Sequence, residues 1–292
     1  MIKRILYLPV RLIAIILGFV IVVNIPILLT YNQSYNKIEI KFSLFKEYVI
    51  SNLRWFTHMV EYPYIVDYFK GTGMEKYAYT MTILSISIFI VVLLALLIAT
   101  VLMLLPLNVR NRFSSVIDFT TTAPDLLVVF LLQYLVIFLY QHFDLRIFQL
   151  YGGAYSRPYI VPILIIVFLP TIFLIQLLLK EFANEEQQDY VVLARAKGLP
   201  IRTIYFKHIL RNIAPFVLIH LKTIVWFMLS NIFVVEHIFN IEGYSAALQA
   251  MYGTRVVVFA VGLLLFAVPL FIINGLSSLV IRQQKRRETT SI

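Results

Sequence analysis

The chain has 292 residues, of which 61% are hydrophobic and 14% are charged, and its mean hydropathy is +0.87. Soluble domains average about 45–50% apolar and about 25% charged residues, so this composition excludes an ordinary soluble domain. The net charge of +10 could indicate nucleic-acid binding, but the placement of the positive residues argues for a membrane protein instead. There is no cysteine, which excludes disulfides and thiolate metal sites.

Six apolar runs reach the roughly 20 residues that a helix needs to cross a bilayer. They are predicted at 12–30, 77–105, 114–140, 158–179, 209–235 and 256–281. The first run follows Lys3 and Arg4 and could be a secretory signal. It is longer than the apolar core of a signal, about 7–15 residues, and no small-residue cleavage site follows it. The sequence therefore predicts an all-α membrane protein with six transmembrane helices and both termini on one side.

Lysine and arginine placement assigns the two sides. Fourteen of the 25 such residues fall on the side of the termini and nine on the other, while Arg11 lies at the edge of the first span and Lys222 lies within the fifth. Cytoplasmic loops carry the excess of positive residues, so both termini and the polar loop 181–208 are predicted to be cytoplasmic. The spans divide the chain into an N-terminal transmembrane helix, 1–30, an extracytoplasmic segment, 31–76, and a core of five helices, 77–292.

The extracytoplasmic segment 31–76 carries a helical pattern. Its apolar residues recur every three or four positions, at Phe45, Val49, Leu53, Phe56 and Val60. Its aromatic residues would suit the headgroup level of a membrane, at Trp55, Tyr62, Tyr64 and Tyr68. We expect an amphipathic helix that lies on the outer membrane surface or caps the bundle. A direct role in substrate binding is the alternative.

The loop 181–208 is the longest charged interruption in the second half of the chain. Asn184 is predicted to cap a helix start, and Glu185, Glu186 and Asp189 put negative charge near the positive end of the helix dipole.

The same helix has a predicted end. Arg195 and Lys197 fall in the last turn, Gly198 supplies a left-handed stop, and Pro200 can open the next helix. Ordinary surface loops use the same signals, so shape alone leaves a structural and a functional interpretation open.

Motifs for catalysis are absent from the sequence. No G-x-x-x-x-G-K-[ST], H-E-x-x-H or G-x-S-x-G occurs, and the five histidines show no pair at metal-ligand spacing. We therefore expect no catalytic site, no metal site and no cofactor in this chain.

Polar residues inside the predicted spans are candidates for a transport path. The candidates are Asp125, Lys222, His220, Asn231 and, at a span edge, Glu236. Pro124 loosens the third span. Asp125 and Lys222 fall at similar predicted depths, where each is expected to face the bundle interior. They could form a structural ion pair, act as a gate or as a contact for a charged end of the substrate, or never meet. For the neutral residues, helix–helix packing explains the pattern equally well.

The segment DYVVLARAKGL at 189–199, followed by Arg211, Asn212 and Pro215, resembles the EAA-type loop of ABC importer permeases. The version is that of the dipeptide, oligopeptide and nickel branch. VVEHIF at 234–239, with Gly243 after it, resembles a second element of that branch. The resemblance is specific from 189 to 281 and weaker from 80 to 180, and the branch's PGDP and DPR signatures are absent.

This resemblance implies a type I ABC importer permease fold in a bacterial inner membrane, with a cytoplasmic coupling helix that partner ATPases move. The ATPase-coupling positions would be Glu185, Glu186, Asp189, Tyr190, Ala194, Arg195, Ala196, Lys197 and Gly198. The implied partners are a second related permease subunit, two ATPase subunits that bind ATP and Mg²⁺, and an extracytoplasmic solute-binding protein. The lipid bilayer surrounds the chain, and no nucleic acid is expected.

The implied solute is a short peptide or a similar polar molecule, and the sequence does not select among these. One alternative is an ion-coupled secondary transporter that uses Asp125 and Lys222 as its coupling site. Another is a membrane sensor or scaffold that has the permease fold but transports nothing. ATP dependence of transport would separate these possibilities.

Overall fold

The computed structural model describes residues 13–15, 17–32, 37–57, 71–143, 157–254 and 256–290. The chain forms two compact units, Met1–Ala78 with Gly243–Ala267, and Tyr79–Glu242 with Val268–Ile292. The helices are α1 Phe42–Thr57, α2 Thr72–Leu104, α3 Leu107–Thr122, α4 Asp125–Phe143, α5 Ile160–Glu185, α6 Asp189–Ala196, α7 Leu210–Ile238, α8 Tyr244–Thr254, α9 Val256–Phe266 and α10 Val268–Thr290. A helical turn, Ile201–Thr203, and a π-helix, Ile204–Ile209, lead directly into α7.

Within the described residues, four helices are long and apolar enough to cross a membrane: α2, α4, α5 and the continuous helix Ile201–Ile238. The number is five if α9 and α10 are counted as one bent span. The predicted first span, 12–30, lies partly outside the described residues. The helical part of this span, Ile13–Leu28, is a short apolar helix. The last two residues of the span, Leu29 and Thr30, belong to a strand.

The predicted third span, 114–140, has the wrong bounds, because the candidate membrane helix here is α4, Asp125–Phe143. The chain breaks into α3 and α4, because Ala123 is extended, with φ −69° and ψ 142°, immediately before Pro124. Proline lacks an N–H and disfavours helical geometry in the residue before it, so it ends α3 rather than only loosening it. Asp125 is therefore the first residue of α4 and not a residue deep inside a span.

The first unit contains a hairpin that corrects the all-α prediction. Strands β1, Leu29–Asn32, and β2, Lys37–Ile40, pair antiparallel, with Leu29 opposite Ile40. Pro26 lies in the 3₁₀ turn Ile25–Leu28 just before β1, and Ile38 and Ile40 alternate with polar neighbours in β2. A proline that ends a helix and β-branched residues at a period of two both favour strands here.

Helix α1 lies where the sequence predicts an amphipathic helix, while Val60, Tyr62, Tyr64 and Tyr68 are outside the described residues. Asn24 is buried in the preceding apolar segment, and its side-chain amide donates to Val20 O at 2.7 Å. The amide of Asn52 in α1 donates to Asn24 Oδ1 at 3.3 Å. This pair satisfies a buried polar group that would otherwise cost free energy.

Tyr244 forms the centre of a second cluster in the first unit. Its ring meets that of Tyr77 edge to face at a centroid distance of 5.0 Å, and its hydroxyl donates to Gly262 O at 3.1 Å. A Cβ at Gly262 would lie 2.7 Å from the sulfur of Met251, so a larger residue there would require the Met251 side chain to shift.

The second unit is built on α5 and α7. Helix α5 places Ile166, Leu174, Leu178 and Phe182 on one face, and all four are nearly inaccessible to solvent. From α10, the hydroxyl of Ser277 donates to Leu218 O of α7 at 2.7 Å. Since α5 and α7 flank α6, the polar loop 181–208 is anchored at both ends in this core.

Candidate functional site

Helix α6 begins one turn later than the sequence predicts. Asn184 does not cap it but lies in the last turn of α5, where its amide is 3.4 Å from Glu181 Oε2. Gln188 occupies the N-cap position without a side-chain hydrogen bond, and Asp189 is the acidic residue of the first turn. The buried face of α5 continues to Phe182, and this tertiary packing outweighs the local cap signal.

The predicted left-handed glycine at the end of α6 is confirmed. Gly198 has φ +73°, its N–H donates to Arg195 O at 2.9 Å, and the N–H of Leu199 donates to Ala194 O at 3.3 Å. These two bonds make a Schellman motif, which satisfies the last carbonyls of α6. Pro200 then occupies the N-cap of the next helical turn. The motif fixes a sharp corner between α6 and the helix that leads into the membrane.

One carboxylate connects three elements around this corner. Glu186 forms ion pairs with Arg195 of α6 at 3.6 Å and with Arg110 of α3 at 3.9 Å. The buried hydroxyl of Tyr205, in the π-helix, also donates to this carboxylate. We call these four residues the Glu186 cluster. The side chain of Glu186 is only about one quarter exposed, at 23%, so the three partners share a partly desolvated charge.

A second tyrosine fastens α6 to the end of α5. The hydroxyl of Tyr190 donates to the carboxylate of Glu185. Burial of the ring, and then this hydrogen bond, raise the pKa of Tyr190 to about 12. The phenol is therefore neutral and remains a donor at physiological pH. The other predicted coupling positions lie on α6 or its corner, with Ala194 buried and Ala196 and Lys197 exposed.

The charged residues predicted for the path are both exposed. Asp125 lies in the first turn of α4, and Lys222 lies in the middle of α7. The structure has no ion pair between these two side chains. Asp125 instead lines a cleft of about 250 Å³, together with residues of α3, α5 and α7.

The other three path candidates do not line that cleft. His220 is half-buried, and its Nδ1 lies 3.0 Å from Phe216 O of its own helix. Asn231 and Glu236 are buried, and the carboxylate of Glu236 accepts a hydrogen bond from the hydroxyl of Thr80. Their roles in transport stay predictions.

Comparison with known families shows that the residues of this site belong to a transport-system domain. Residues 92–286 match the family described as binding-protein-dependent transport system inner membrane component. The chain belongs to this family. The match extends from the middle of α2 into α10 and so includes the Glu186 cluster, the corner at Gly198 and the cleft. Family membership makes the chain a multi-pass membrane component of a transport system, as the sequence predicts, and does not favour the sensor or ion-coupled alternatives.

A curated relative of this family member is the dipeptide transport system permease protein DppB of Lactococcus lactis subsp. cremoris (strain MG1363). The two chains are 32% identical over 112 residues, a stretch that covers 38% of this chain and 37% of the relative.

The sequence-based prediction missed an apolar surface on this permease-family chain. Val192 and Leu193 of α6 are 57% and 56% exposed, and Leu199, Ile201 and Phe206 beyond the corner are exposed as well. The other side of α6 buries Val191 and Ala194. The sequence did contain a signal for this surface. A loop helix in contact with water is polar on its outer side, whereas the residues of α6 are apolar on both the buried and the outer side.

Arg110 and Tyr205 were also missed as partners of Glu186. Neither has a local pattern that indicates the contact, because both reach the carboxylate from distant parts of the sequence.

Proposed function

We propose that the chain is the transmembrane permease subunit of an ATP-driven importer, and that α6 is the element on which a partner ATPase acts. The corner at Gly198 supports this most directly, since it joins a short helix with an exposed apolar side to a continuous apolar helix, Ile201–Ile238. A membrane helix that begins at such a corner would move with α6.

The Glu186 cluster would spread that movement over three membrane-associated elements. Arg195 links the carboxylate to α6, Tyr205 links it to the start of α7, and Arg110 links it to α3. A displacement of α6 then carries α5, α7 and α3 together as one body. No ATP site is needed in this chain for that step, because the partner subunits would bind ATP and Mg²⁺.

The exposed apolar side of α6 is suited to docking a protein. Exposed apolar side chains on a polar loop mark interaction sites when they cluster, and here Val192, Leu193 and Leu199 are exposed within the same short stretch as the charged Arg195 and Lys197. An ATPase groove with an apolar floor and an acidic rim would complement it.

The proposed assembly contains a second, related permease subunit, two ATPase subunits and an extracytoplasmic solute-binding protein. Six spans with cytoplasmic termini would place α6 on the side where ATP is available, in agreement with the excess of lysine and arginine there. The predicted span 12–30, which contains the short apolar helix Ile13–Leu28, would supply the sixth span in a bacterial inner membrane.

The proposed solute is a short peptide or a similar polar molecule. The name of the DppB relative, a dipeptide transport permease, supports this class.

Reconstitution tests the proposal. The complete assembly is placed in proteoliposomes that enclose ATP and Mg²⁺, and uptake of labelled alanyl-alanine is measured with the binding protein outside. We expect uptake that requires enclosed ATP and this chain. Uptake driven by an ion gradient without ATP would indicate the secondary transporter, and binding without any uptake would indicate the scaffold.

A further inference from the structure

The cleft beside Asp125 is formed by the break that Pro124 introduces. Its wall includes Thr120, Thr121 and Asp125 from α3 and α4, and Phe173, Thr223 and Phe227 from α5 and α7. Its volume, about 250 Å³, is just below the roughly 300–1,000 Å³ of pockets for drug-sized ligands. The cleft would therefore hold one end of a small peptide rather than the whole molecule.

The polar groups that α3 and α4 contribute to the wall all act as hydrogen-bond acceptors. The hydroxyl of Thr120 donates to Val116 O at 2.9 Å, and that of Thr121 donates to Asp118 O at 2.9 Å. Their hydrogens are used inside α3, so their oxygens have only lone pairs to offer a ligand. Asp125 adds a carboxylate, which accepts only when ionised. A group with several N–H donors and a positive charge matches this set.

No protein cation satisfies Asp125 in the part of the chain that the structure describes, where its carboxylate has no ion pair. Lys222 is exposed on α7 next to Thr223, but successive helix residues point about 100° apart, and Lys222 is not part of the cleft wall. The rings of Phe173 and Phe227 supply apolar surface and π-faces, both of which suit an alkylammonium group.

We propose that this cleft is a subsite for the ammonium group of the transported solute, with Asp125 as its counter-ion and Phe173 and Phe227 beside the adjacent apolar carbons. The inference rests on the proposed transport function. It adds a charge requirement, namely a free amino group on the solute, which nothing in the family assignment specifies.

The position of the subsite ties it to the coupling corner. Phe173 lies on α5, which leads into α6, and Thr223 and Phe227 lie on α7, which follows the corner. Movement of α5 and α7 relative to α4 would change the distance between the aromatic wall and Asp125. The ammonium would then be held in one state of the transporter and released in the other.

The test uses the complete transporter with Thr223→Cys, which introduces a single thiol into this chain because the native chain has no cysteine; the transporter with the native chain is the background for thiols of the partner subunits. The thiol is modified with a cationic methanethiosulfonate, and alanyl-alanine or N-acetyl-alanyl-alanine is added as protectant. We expect protection by the free peptide and none by the acetylated one. Asp125→Asn should weaken the protection about five-fold, the upper end for an exposed ion pair. Thr122→Cys, an exposed neighbour outside the cleft wall, should be modified equally with and without peptide.

A second readout is independent of transport and of the peptide chosen. The cationic reagent should modify the thiol of Thr223→Cys faster than an anionic methanethiosulfonate does, and Asp125→Asn should remove most of that preference. Equal rates for the two reagents would overturn the proposal, as would equal protection by both peptides. Protection that is unchanged by Asp125→Asn but lost in Lys222→Met would overturn the assignment of Asp125.

The two hypotheses fail in different ways. ATP-dependent uptake of alanyl-alanine without any protection of the introduced thiol overturns the subsite and leaves the permease function intact. Protection without uptake keeps the subsite and contradicts the permease function.

Discussion

The hydroxyl of Tyr205 donates to the carboxylate of Glu186, which lies nineteen positions earlier in the chain. The bond joins the π-helix before α7 to the C-cap residue of α5. Tyr205 is fully buried and its ring lies 5.8 Å from that of Phe182, so the hydroxyl is held in place by packing. π-Helical segments occur often at functional sites, and here the segment orients the tyrosine that closes the Glu186 cluster.

Tyr205→Phe should destabilise the protein by about 1.5 kcal/mol, since a hydrogen bond to a charged group contributes roughly 1.5–3 kcal/mol and water can partly replace the lost donor. The measurement is unfolding of the purified chain in detergent. Tyr134→Phe is the matched control, because Tyr134 is exposed, and it should change stability by less than about 0.5 kcal/mol. Equal stability of the two variants would contradict a structural role for the Tyr205–Glu186 bond.

Exchanging the charges of Glu186 and Arg195 should restore part of the uptake that either single charge reversal removes. Each partner is partly exposed, so the pair contributes only about 0.2–1 kcal/mol to stability, and the effect of interest is on coupling. Glu186→Arg and Arg195→Glu should each reduce ATP-dependent uptake, and the double variant should recover part of it. If the double variant is no better than the worse single variant, direct pairing is not what the function requires.

Single cysteines on the exposed side of α6 should crosslink to the ATPase subunit. Val192→Cys and Leu193→Cys are preferable to a cysteine at Arg195, because neither removes a partner of Glu186. Arg112→Cys, on α3, serves as the comparison. Efficient crosslinking from position 112 with none from 192 or 193 would show that the ATPase docks on α3 instead.

Asp125→Asn and Lys222→Met should impair uptake additively. The structure has no ion pair between these residues, and independent sites add within about 0.5 kcal/mol. The double-mutant cycle is measured on the initial rate of uptake. A clear coupling energy, with the double variant less harmful than the sum, would show that the two side chains meet in another state of the transporter.

Local signals in the sequence predicted the corner well. Gly198 needed only its own neighbours to indicate a left-handed stop, and its φ is positive as predicted. The predicted helix cap at Asn184 was wrong because tertiary packing extends α5 past it. The buried face of α5 reaches Phe182, two residues before Asn184. A cap signal is weaker than several fully buried side chains.

The predicted bounds of the third span were wrong because a local backbone signal outweighed the average hydropathy. Hydropathy averages over a window and does not register that Pro124 removes an N–H and forces Ala123 out of the helix. The partners of Glu186 could not be predicted either. Arg110 and Tyr205 lie far from Glu186 along the chain, and only the packing of α3, α5 and the π-helix brings them to one carboxylate.

The most direct test of the coupling account is the uptake of solute per ATP hydrolysed by Gly198→Val in the complete transporter. A Cβ at Gly198 would meet nothing within 4 Å, so the cost is backbone strain from φ +73°, roughly 1–2 kcal/mol. Gly198→Asn is the control, because asparagine tolerates this conformation. We predict that Gly198→Val stays in the membrane and hydrolyses ATP but loses most uptake per ATP, while Gly198→Asn retains it. Wild-type uptake per ATP in Gly198→Val would contradict the account, because the corner would then not be needed to pass motion from α6 to the membrane helices.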